Sequence, residues 1–148
     1  MKIWMVMAVV CICGGAAMAQ AAPIKMGLWE KTMNMTSGGS RATTIKSRSC
    51  ITPAEWQRML GLMNKQTAGC SIQTTKTAKG YSFNGSCENG QMTLSGTVTY
   101  PDAEHIVEES HGSSAGKNGQ KVQSETRSTT RWIGANCGNV KPGEPEVE

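Results

Sequence analysis

The sequence predicts a mainly β fold of the α+β class. We expect a curved antiparallel meander sheet or partly closed barrel of about seven strands, with one inserted helix and two disulfides. Three observations lead to this prediction. Apolar and polar residues alternate along most of the chain, as in strands that bury one face. A single segment has helical periodicity. Four of the six cysteines lie beyond an export-type leader, and cysteines of small exported proteins are typically paired.

The first 19 residues have the pattern of a secretory signal peptide. One basic residue, Lys2, precedes an apolar run over residues 3–13, and Ala-Met-Ala at residues 17–19 forms an A-x-A cleavage site. The run is shorter than the roughly 20 residues of a transmembrane helix. A lipoprotein is disfavoured because large residues precede the leader's two cysteines. We expect cleavage after Ala19, a periplasmic or secreted location, and no membrane-spanning segment.

Composition indicates one modest domain without a nucleic-acid partner. Removing the leader leaves 148 − 19 = 129 residues, and aromatic residues make up only 5% of the chain, so the core is lean. The net charge of +4 becomes +3 without Lys2, and its basic residues are dispersed. Residues 138–148 are rich in Pro, Gly and Glu, which is typical of disorder. The predicted divisions are a signal peptide (1–19), a disulfide-stapled β domain (20–137) and a disordered acidic tail (138–148).

One helix is predicted immediately after Thr52. Thr52 and Glu55 form a capping box, in which the Thr52 hydroxyl accepts from the Glu55 backbone N–H and the Glu55 side chain reaches back. Pro53 occupies the first helical position, where its missing N–H costs nothing. Apolar residues then recur at i, i+3, i+4 and i+7. We expect this stripe to be a core face: Trp56, Met59, Leu60 and Met63.

The clearest strand covers residues 91–100, and Asn89-Gly90 before it predicts a two-residue hairpin. That turn sets Cys87 opposite Met92 on an apolar face. It also places each glycine of this face opposite a large residue. The remaining predicted pairs are Gly85 with Leu94, Phe83 with Gly96, and Tyr81 with Val98.

The same face predicts the disulfides. A hairpin centred on residues 78–79 places Cys70 opposite Cys87, so a cross-strand bond between them follows. Cys50 is then left to pair with Cys137. A zinc site is disfavoured, because zinc cysteines normally come in closely spaced pairs and these lie tens of residues apart.

The other strands are predicted less sharply, over residues 105–110 and 120–133, with a loop at 113–119. Residues 27–36 form a hairpin with 41–50. A two-residue loop would set Lys31 against Lys46, which is unfavourable. We prefer the three-residue loop, whose pairs are Glu30 with Arg48 and Met33 with Ile45.

Several short patterns together identify a family. They are G-L-W-E at residues 27–30, C-x-T-P at residues 50–53, two further cysteines a hairpin apart, and R-W-I-G-x-x-C at residues 131–137. In this order they resemble the small exported bacterial proteins grouped as domain of unknown function 3617. The resemblance implies a periplasmic or secreted Gram-negative protein with paired cysteines, and it implies no activity. Members often have a Met/Pro-rich first loop; Ser-Gly-Gly-Ser stands at residues 37–40 here, which disfavours a metal site in that loop.

The residue inventory disfavours an enzyme. The two histidines, His105 and His111, share a strand face but lie about 20 Å apart. Glu108 and Glu109 are adjacent and point to opposite faces, and Asp102 sits in a turn. No C-x-x-C pair is present beyond the leader. We expect no catalytic residues and no cofactor.

Three binding hypotheses remain. The first is a small apolar or amphiphilic ligand inside the sheet, with the alternating hydroxyls of residues 124–130 lining a cavity; these could also belong to an edge strand wet on both faces. The second is an envelope protein–protein interaction or structural module. The third is Cu(I) binding through Met33 and Met35, since thioethers suit Cu(I). Against copper, Trp29, Met33 and Met35 are predicted to be the buried side of the first strand, packed under the helix stripe.

Overall fold

The computed structural model describes residues 23–63, 69–116 and 119–148, so the predicted signal peptide lies outside the described residues. Eight strands and one α-helix follow one another along the chain. They are β1 (Gly27–Ser37), β2 (Thr43–Ile51), α1 (Pro53–Met63), β3 (Cys70–Thr77), β4 (Gly80–Cys87), β5 (Met92–Asp102), β6 (His105–Ala115), β7 (Lys121–Gly134) and β8 (Glu146–Val147). Within the described ranges, no helix is long and apolar enough to cross a membrane.

All eight strands belong to one curved antiparallel sheet that does not close. Its strand order is β3-β4-β5-β6-β7-β1-β2-β8. Strands β3 to β7 form a meander, and β1 then lies between β7 and β2. The predicted mainly β fold with one helix and two disulfides is therefore confirmed. The short strand β8 is one more than the seven or so expected.

The predicted registers are confirmed in the three hairpins. Cys70 pairs with Cys87 between β3 and β4, Cys87 with Met92 between β4 and β5, and Met33 with Ile45 between β1 and β2. The Asn89-Gly90 turn has the positive φ at both positions that a type I′ hairpin requires. Strand β6 runs on to Ala115, where a loop was expected from residue 113.

Helix α1 covers one end of one sheet face, which we call the inner face. The core there consists of Trp29 and Trp56 with Ile24 and Ile51, and Tyr100 and other half-buried residues pack around it. An 11-residue helix is only about 16 Å long, whereas an 11-residue strand extends about 37 Å. Among the described residues, no helix lies over the rest of the inner face.

This geometry corrects one prediction about β1. Trp29 is fully buried beneath α1 as predicted, but Met35 is 38% exposed and Met33 only half-buried. Both methionines lie on the inner face, beyond the reach of the helix. On α1 itself, Met59 is 37% exposed, so the stripe that faces the sheet is narrower than its spacing predicts.

The N-terminus of α1 has half of the predicted capping box. The Glu55 backbone N–H donates to Thr52 Oγ1 at 3.2 Å. The Glu55 carboxylate, instead of reaching back, accepts from Arg58 at 2.9 Å from Nε. An i, i+3 ion pair thus replaces the second capping bond.

The prediction of a disordered tail at residues 138–148 is corrected by the structure. Val140 is buried, Pro142 forms a parallel bridge with Cys50, and Val147 pairs with Ser47 as part of β8. The Cys50–Cys137 bond brings the start of the tail to the end of β2, so little further ordering is needed for the tail to cover that edge.

Candidate functional site

Residues of the family pattern meet at the helix-covered end of the sheet. Trp29 and Trp132 are direct cross-strand partners on β1 and β7. The indole N–H of Trp29 donates to the Lys25 carbonyl and that of Trp132 to the Met26 carbonyl, each at 3.0 Å. Both indole N–H groups are therefore satisfied by the segment that precedes β1, one of them on the fully buried Trp29 and the other on the half-buried Trp132. The Lys25 ammonium in turn lies 4.5 Å from the centre of the Trp132 ring.

Gly27 and Glu30 of the same pattern also have structural roles. Gly27 has φ +130°, and a Cβ there would lie 2.2 Å from the Gly134 carbonyl oxygen, so only glycine fits. Glu30 accepts from Arg131 at 3.0 Å from Nε and 2.8 Å from Nη2. This hydrogen bonding lowers the pKa of Glu30 below its ordinary value, against an opposing effect of desolvation.

The two predicted disulfides are present. Cys50–Cys137 joins the end of β2 to the segment after β7, with a Cα–Cα distance of 5.4 Å. Cys70–Cys87 joins β3 to β4 across the first pair of their ladder, with a Cα–Cα distance of 4.0 Å. Cys50 is buried, whereas Cys70 and Cys87 are half-buried. Both bonds hold strands together and neither lines a cavity described below.

A cleft of about 610 Å³ lies between α1 and the β3–β4 hairpin. We call it the ligand cleft. Trp56, Leu60 and Met63 of α1 contribute its apolar roof, and the aromatic rings of Tyr81 and Tyr100 face that roof from the inner face of the sheet. The other lining residues are Pro23, Thr74, Lys76, Thr77, Ala78, Lys79, Gly80, Asp102 and Ala103.

Aromatic contacts fix the shape of the ligand cleft. The Trp56 ring meets Tyr100 edge-on, with ring centroids 6.1 Å apart and an interplanar angle of 71°. Tyr81 lies 6.4 Å from Tyr100 and 6.5 Å from Phe83. Aromatic rings thus continue from the cleft along β4 on the inner face.

The two tyrosine hydroxyls are hydrogen-bonded to each other and partly desolvated. Burial raises the pKa of both Tyr81 and Tyr100 above the ordinary value of 10.0. The charge of Glu108 raises the Tyr81 pKa further, so that carboxylate lies close to the tyrosine pair. Both phenols therefore remain neutral hydrogen-bonding groups at the edge of an apolar surface.

Charge around the ligand cleft is unevenly distributed. Asp102 accepts from the Glu104 backbone N–H at 2.7 Å and lies 2.9 Å from His105 Nδ1. These hydrogen bonds, led by the backbone one, lower the Asp102 pKa. Lys76 and Lys79, by contrast, form no ion pair with any side chain of residues 23–63, 69–116 and 119–148. Among the described lining residues, the charged groups without a partner of opposite charge are therefore the two lysine ammonium groups, which are positive.

Beyond the cleft, the inner face carries a line of hydroxyls on β7. Ser124, Thr126 and Thr130 are half-buried and Ser128 is only 1% exposed. The edge-strand interpretation of this pattern is wrong, because β7 lies between β6 and β1. Ser128 donates to Glu108 at 3.1 Å, and Glu108 also binds the Lys31 ammonium at 2.9 Å.

An apolar patch lies near the β3 edge of the inner face. Ile72, Met92 and Leu94 are 39%, 44% and 41% exposed. Gly85 lies between Ile72 and Leu94 in the ladder, and a Cβ on it would come within 2.9 Å of the Ile72 side chain. The small–large pairing seen in the sequence therefore lets these side chains fold over the glycines.

The remaining predicted candidates are not brought together. His105 and His111 lie on the outer face, the latter 3.6 Å from Glu125. Glu108 and Glu109 point to opposite faces as predicted. Among the described residues, no group of three or more His, Cys, Asp or Glu side chains is placed to hold a metal ion.

Sequence reasoning missed the cleft residues Lys76, Lys79 and Tyr81 as a group. The correct β3–β4 register does set Lys76 opposite Tyr81, so a polar end of the apolar face was available to be noticed. The position of α1 above this hairpin depends on tertiary packing and has no local signal.

A family profile described as a protein of unknown function (DUF3617) matches residues 24–137. The chain belongs to this family. Curated proteins offer no match. Among solved structures, the chain is similar to an S-type phycobiliprotein lyase from Guillardia theta, with 8% identity and a TM-score of 0.40 over 74% of this chain and 88% of that one. The DUF3617 pattern that identified the family in the sequence maps onto the Trp29–Trp132 contact, the Gly27 close approach and the Cys50–Cys137 bond.

Proposed function

We propose that the protein is a non-enzymatic, exported envelope protein that binds a small amphiphilic molecule in the ligand cleft. The observation that carries the proposal is the cleft itself. Its volume of about 610 Å³ falls within the range of small-molecule sites, roughly 300–1,000 Å³. Its lining also has the composition of such sites: apolar and aromatic side chains with a few polar groups at one end.

The proposed mode of binding follows from this lining. The apolar part of the ligand lies between the α1 roof of Trp56, Leu60 and Met63 and the tyrosine rings. Its polar part lies toward the β3–β4 turn, where backbone and lysine side chains meet solvent. Removing the apolar part from water supplies the affinity, at about 25 cal/mol per Å² of apolar surface buried.

Export and the absence of catalysis belong to the same proposal. Two disulfides are consistent with an oxidising compartment such as the periplasm. A protein that only binds its ligand needs no acid–base pair at the cleft. Asp102, the carboxylate that lines the cleft, is already hydrogen-bonded to the Glu104 backbone N–H and to His105.

Native mass spectrometry of the protein purified from the periplasm tests the proposal. We expect a co-purifying small molecule that is displaced by added dodecanol. The Ala78→Trp variant, which fills the cleft from the β3–β4 turn, should lose the adduct while keeping its thermal unfolding temperature. Ala115→Trp places the same side chain at an exposed position outside the cleft and should keep the adduct. An adduct that survives Ala78→Trp would place the ligand elsewhere and contradict the proposal.

A second candidate function, an envelope interaction module, rests on a different observation. Strand β3 forms one edge of the sheet, and Ile72, Met92 and Leu94 beside it are exposed. An extended segment of an envelope protein could add a strand there and cover those side chains. Cross-linking in intact cells distinguishes the two: an adduct to one protein that Ile72→Asp abolishes, with no small molecule bound, favours the module.

A further inference from the structure

The chemical class of the ligand can be inferred from the charges at the cleft. We propose that the ligand cleft selects amphiphiles with an anionic head group, which Lys76 and Lys79 hold at the β3–β4 turn. This inference rests on the proposed function and narrows it, because an uncharged amphiphile would satisfy the proposed function alone.

The first step of the argument concerns the two lysines. Lys76 is the cross-strand partner of Tyr81 on the inner face, and Lys79 lies in the adjoining turn, so their side chains reach the same end of the cleft. Neither has a carboxylate partner within the described ranges. Other inner-face charges are paired, as Lys31 is with Glu108 at 2.9 Å. Two unpaired ammonium groups beside an apolar cleft attract an anion.

The second step concerns the acids near the cleft. Asp102 is the single carboxylate among the lining residues, and it is engaged by the Glu104 N–H and by His105. Glu104 itself forms an ion pair with Lys25. Glu108, whose charge acts on Tyr81, is paired with Lys31 at 2.9 Å. Among the described lining residues no carboxylate other than Asp102 is present, so a cationic head group would meet a net positive charge at the turn.

The third step concerns the neutral groups. Tyrosine phenols are protonated at neutral pH at their ordinary pKa, and burial raises the pKa of Tyr81 and Tyr100 further, so the tyrosine pair adds no negative charge beside the head group. The pair can donate a hydrogen bond to an anionic oxygen. Apolar roof, neutral phenols and ammonium groups then follow one another from the helix to the turn.

The expected preference is modest, because both lysines are exposed to solvent. Exposed ion pairs are individually weak. With two such ion pairs to the head group, we expect dodecanoate to bind about threefold to tenfold tighter than dodecanol at low ionic strength. The difference should shrink as salt is added, since screening weakens interactions between exposed charges.

Isothermal titration calorimetry with three probes of equal alkyl length tests the inference: dodecanoate, dodecanol and dodecyltrimethylammonium, each below its micelle concentration. The oxidised, purified protein should bind dodecanoate most tightly, dodecanol less tightly and dodecyltrimethylammonium most weakly. In Lys76→Gln/Lys79→Gln, the preference for the acid should be lost, so that dodecanoate and dodecanol bind with equal affinity.

A matched control removes the same charge elsewhere. Lys121→Gln/Lys141→Gln changes two lysines that do not line the cleft and should keep the preference for dodecanoate. If the control variant loses as much of its preference for dodecanoate over dodecanol as the cleft variant does, general charge attraction explains the preference and the inference fails. Equal binding of acid and alcohol, or tighter binding of the cation, overturns the inference but leaves the proposed function standing. If none of the probes binds, both fall.

Discussion

The Cys50–Cys137 disulfide is expected to stabilise the fold more than Cys70–Cys87 does, because it closes a much longer loop. The linked residues are 87 positions apart in one case and 17 in the other. In the chain-entropy treatment, a cross-link removes about 2.1 + 1.5R ln n cal/mol/K from the unfolded chain, where n is the loop length. At 25 °C this gives about 4.6 kcal/mol for the longer loop and about 3.1 kcal/mol for the shorter one.

The two loops are nested, which changes the estimate slightly. With Cys70–Cys87 intact, the shorter loop lies inside the longer, and the effective length becomes 87 − 17 = 70. The contribution of Cys50–Cys137 then falls to about 4.4 kcal/mol, and that of Cys70–Cys87 with the longer loop closed falls to about 2.9 kcal/mol, so the difference between the two stays at about 1.5 kcal/mol. Burial acts in the same direction, because alanine at buried Cys50 also leaves a small cavity.

Urea unfolding followed by tryptophan fluorescence measures the difference. We compare Cys50→Ala/Cys137→Ala with Cys70→Ala/Cys87→Ala, and we expect the first double variant to have the lower free energy of unfolding. Because the free energy of unfolding of a small domain is only about 5–15 kcal/mol, the variant Cys50→Ala/Cys137→Ala should be close to unfolding without denaturant. If Cys70→Ala/Cys87→Ala is the less stable variant at equal m-values, loop length does not set the contribution and the reasoning is refuted.

Three further predictions concern single groups. Gly27→Ala should cost at least about 2 kcal/mol in chemical unfolding, from backbone strain and the clash with the Gly134 carbonyl, whereas Gly39→Ala, with nothing within 4 Å, should cost about 1 kcal/mol. Glu30 has a lowered pKa, so its stabilising effect is present above the unfolded value and lost as pH falls through the folded one; Glu30→Gln should flatten the acid side of a melting-temperature profile. The raised pKa values of Tyr81 and Tyr100 favour the neutral phenols, so ultraviolet absorbance should show each tyrosine less than half ionised at pH 10 before unfolding, and half ionisation or more of either at that pH would contradict their burial.

Sequence reasoning predicted the features whose signals are local. The Asn89-Gly90 turn and the period-two pattern around it determine a register, and one register brings Cys70 to Cys87. With four cysteines outside the leader, that pair leaves Cys50 and Cys137 for each other. Each of these steps depends on residues close in the chain or on elimination.

The features that sequence reasoning missed depend on contacts between distant segments. The pairing of β1 with β7 involves no connecting turn that the sequence could indicate. The tail is held by the Cys50–Cys137 bond together with the pairing of β8 with β2 and the burial of Val140, all of which are contacts with distant residues. The limited reach of α1, which leaves Met35 exposed, depends on where the helix sits on the sheet. The ligand cleft arises from the same placement.

The family pattern and the proposed ligand-binding residues lie in different parts of the sheet, and this limits what family membership says about function. Most residues of the DUF3617 pattern form a structural frame at the tryptophan-rich end of the sheet, where Trp29, Trp132 and Gly27 have structural roles. The Cys70–Cys87 pair of the pattern lies on the β3–β4 hairpin, at the end of the ladder away from Lys76. The groups proposed to choose the ligand, Lys76 and Lys79, lie outside that pattern on the β3–β4 hairpin. Substitutions in the hairpin can therefore change the ligand without disturbing the frame. It follows that a chain with the same frame and acidic residues at these two positions should reject dodecanoate, and that the ligand of each family member has to be inferred from its own hairpin.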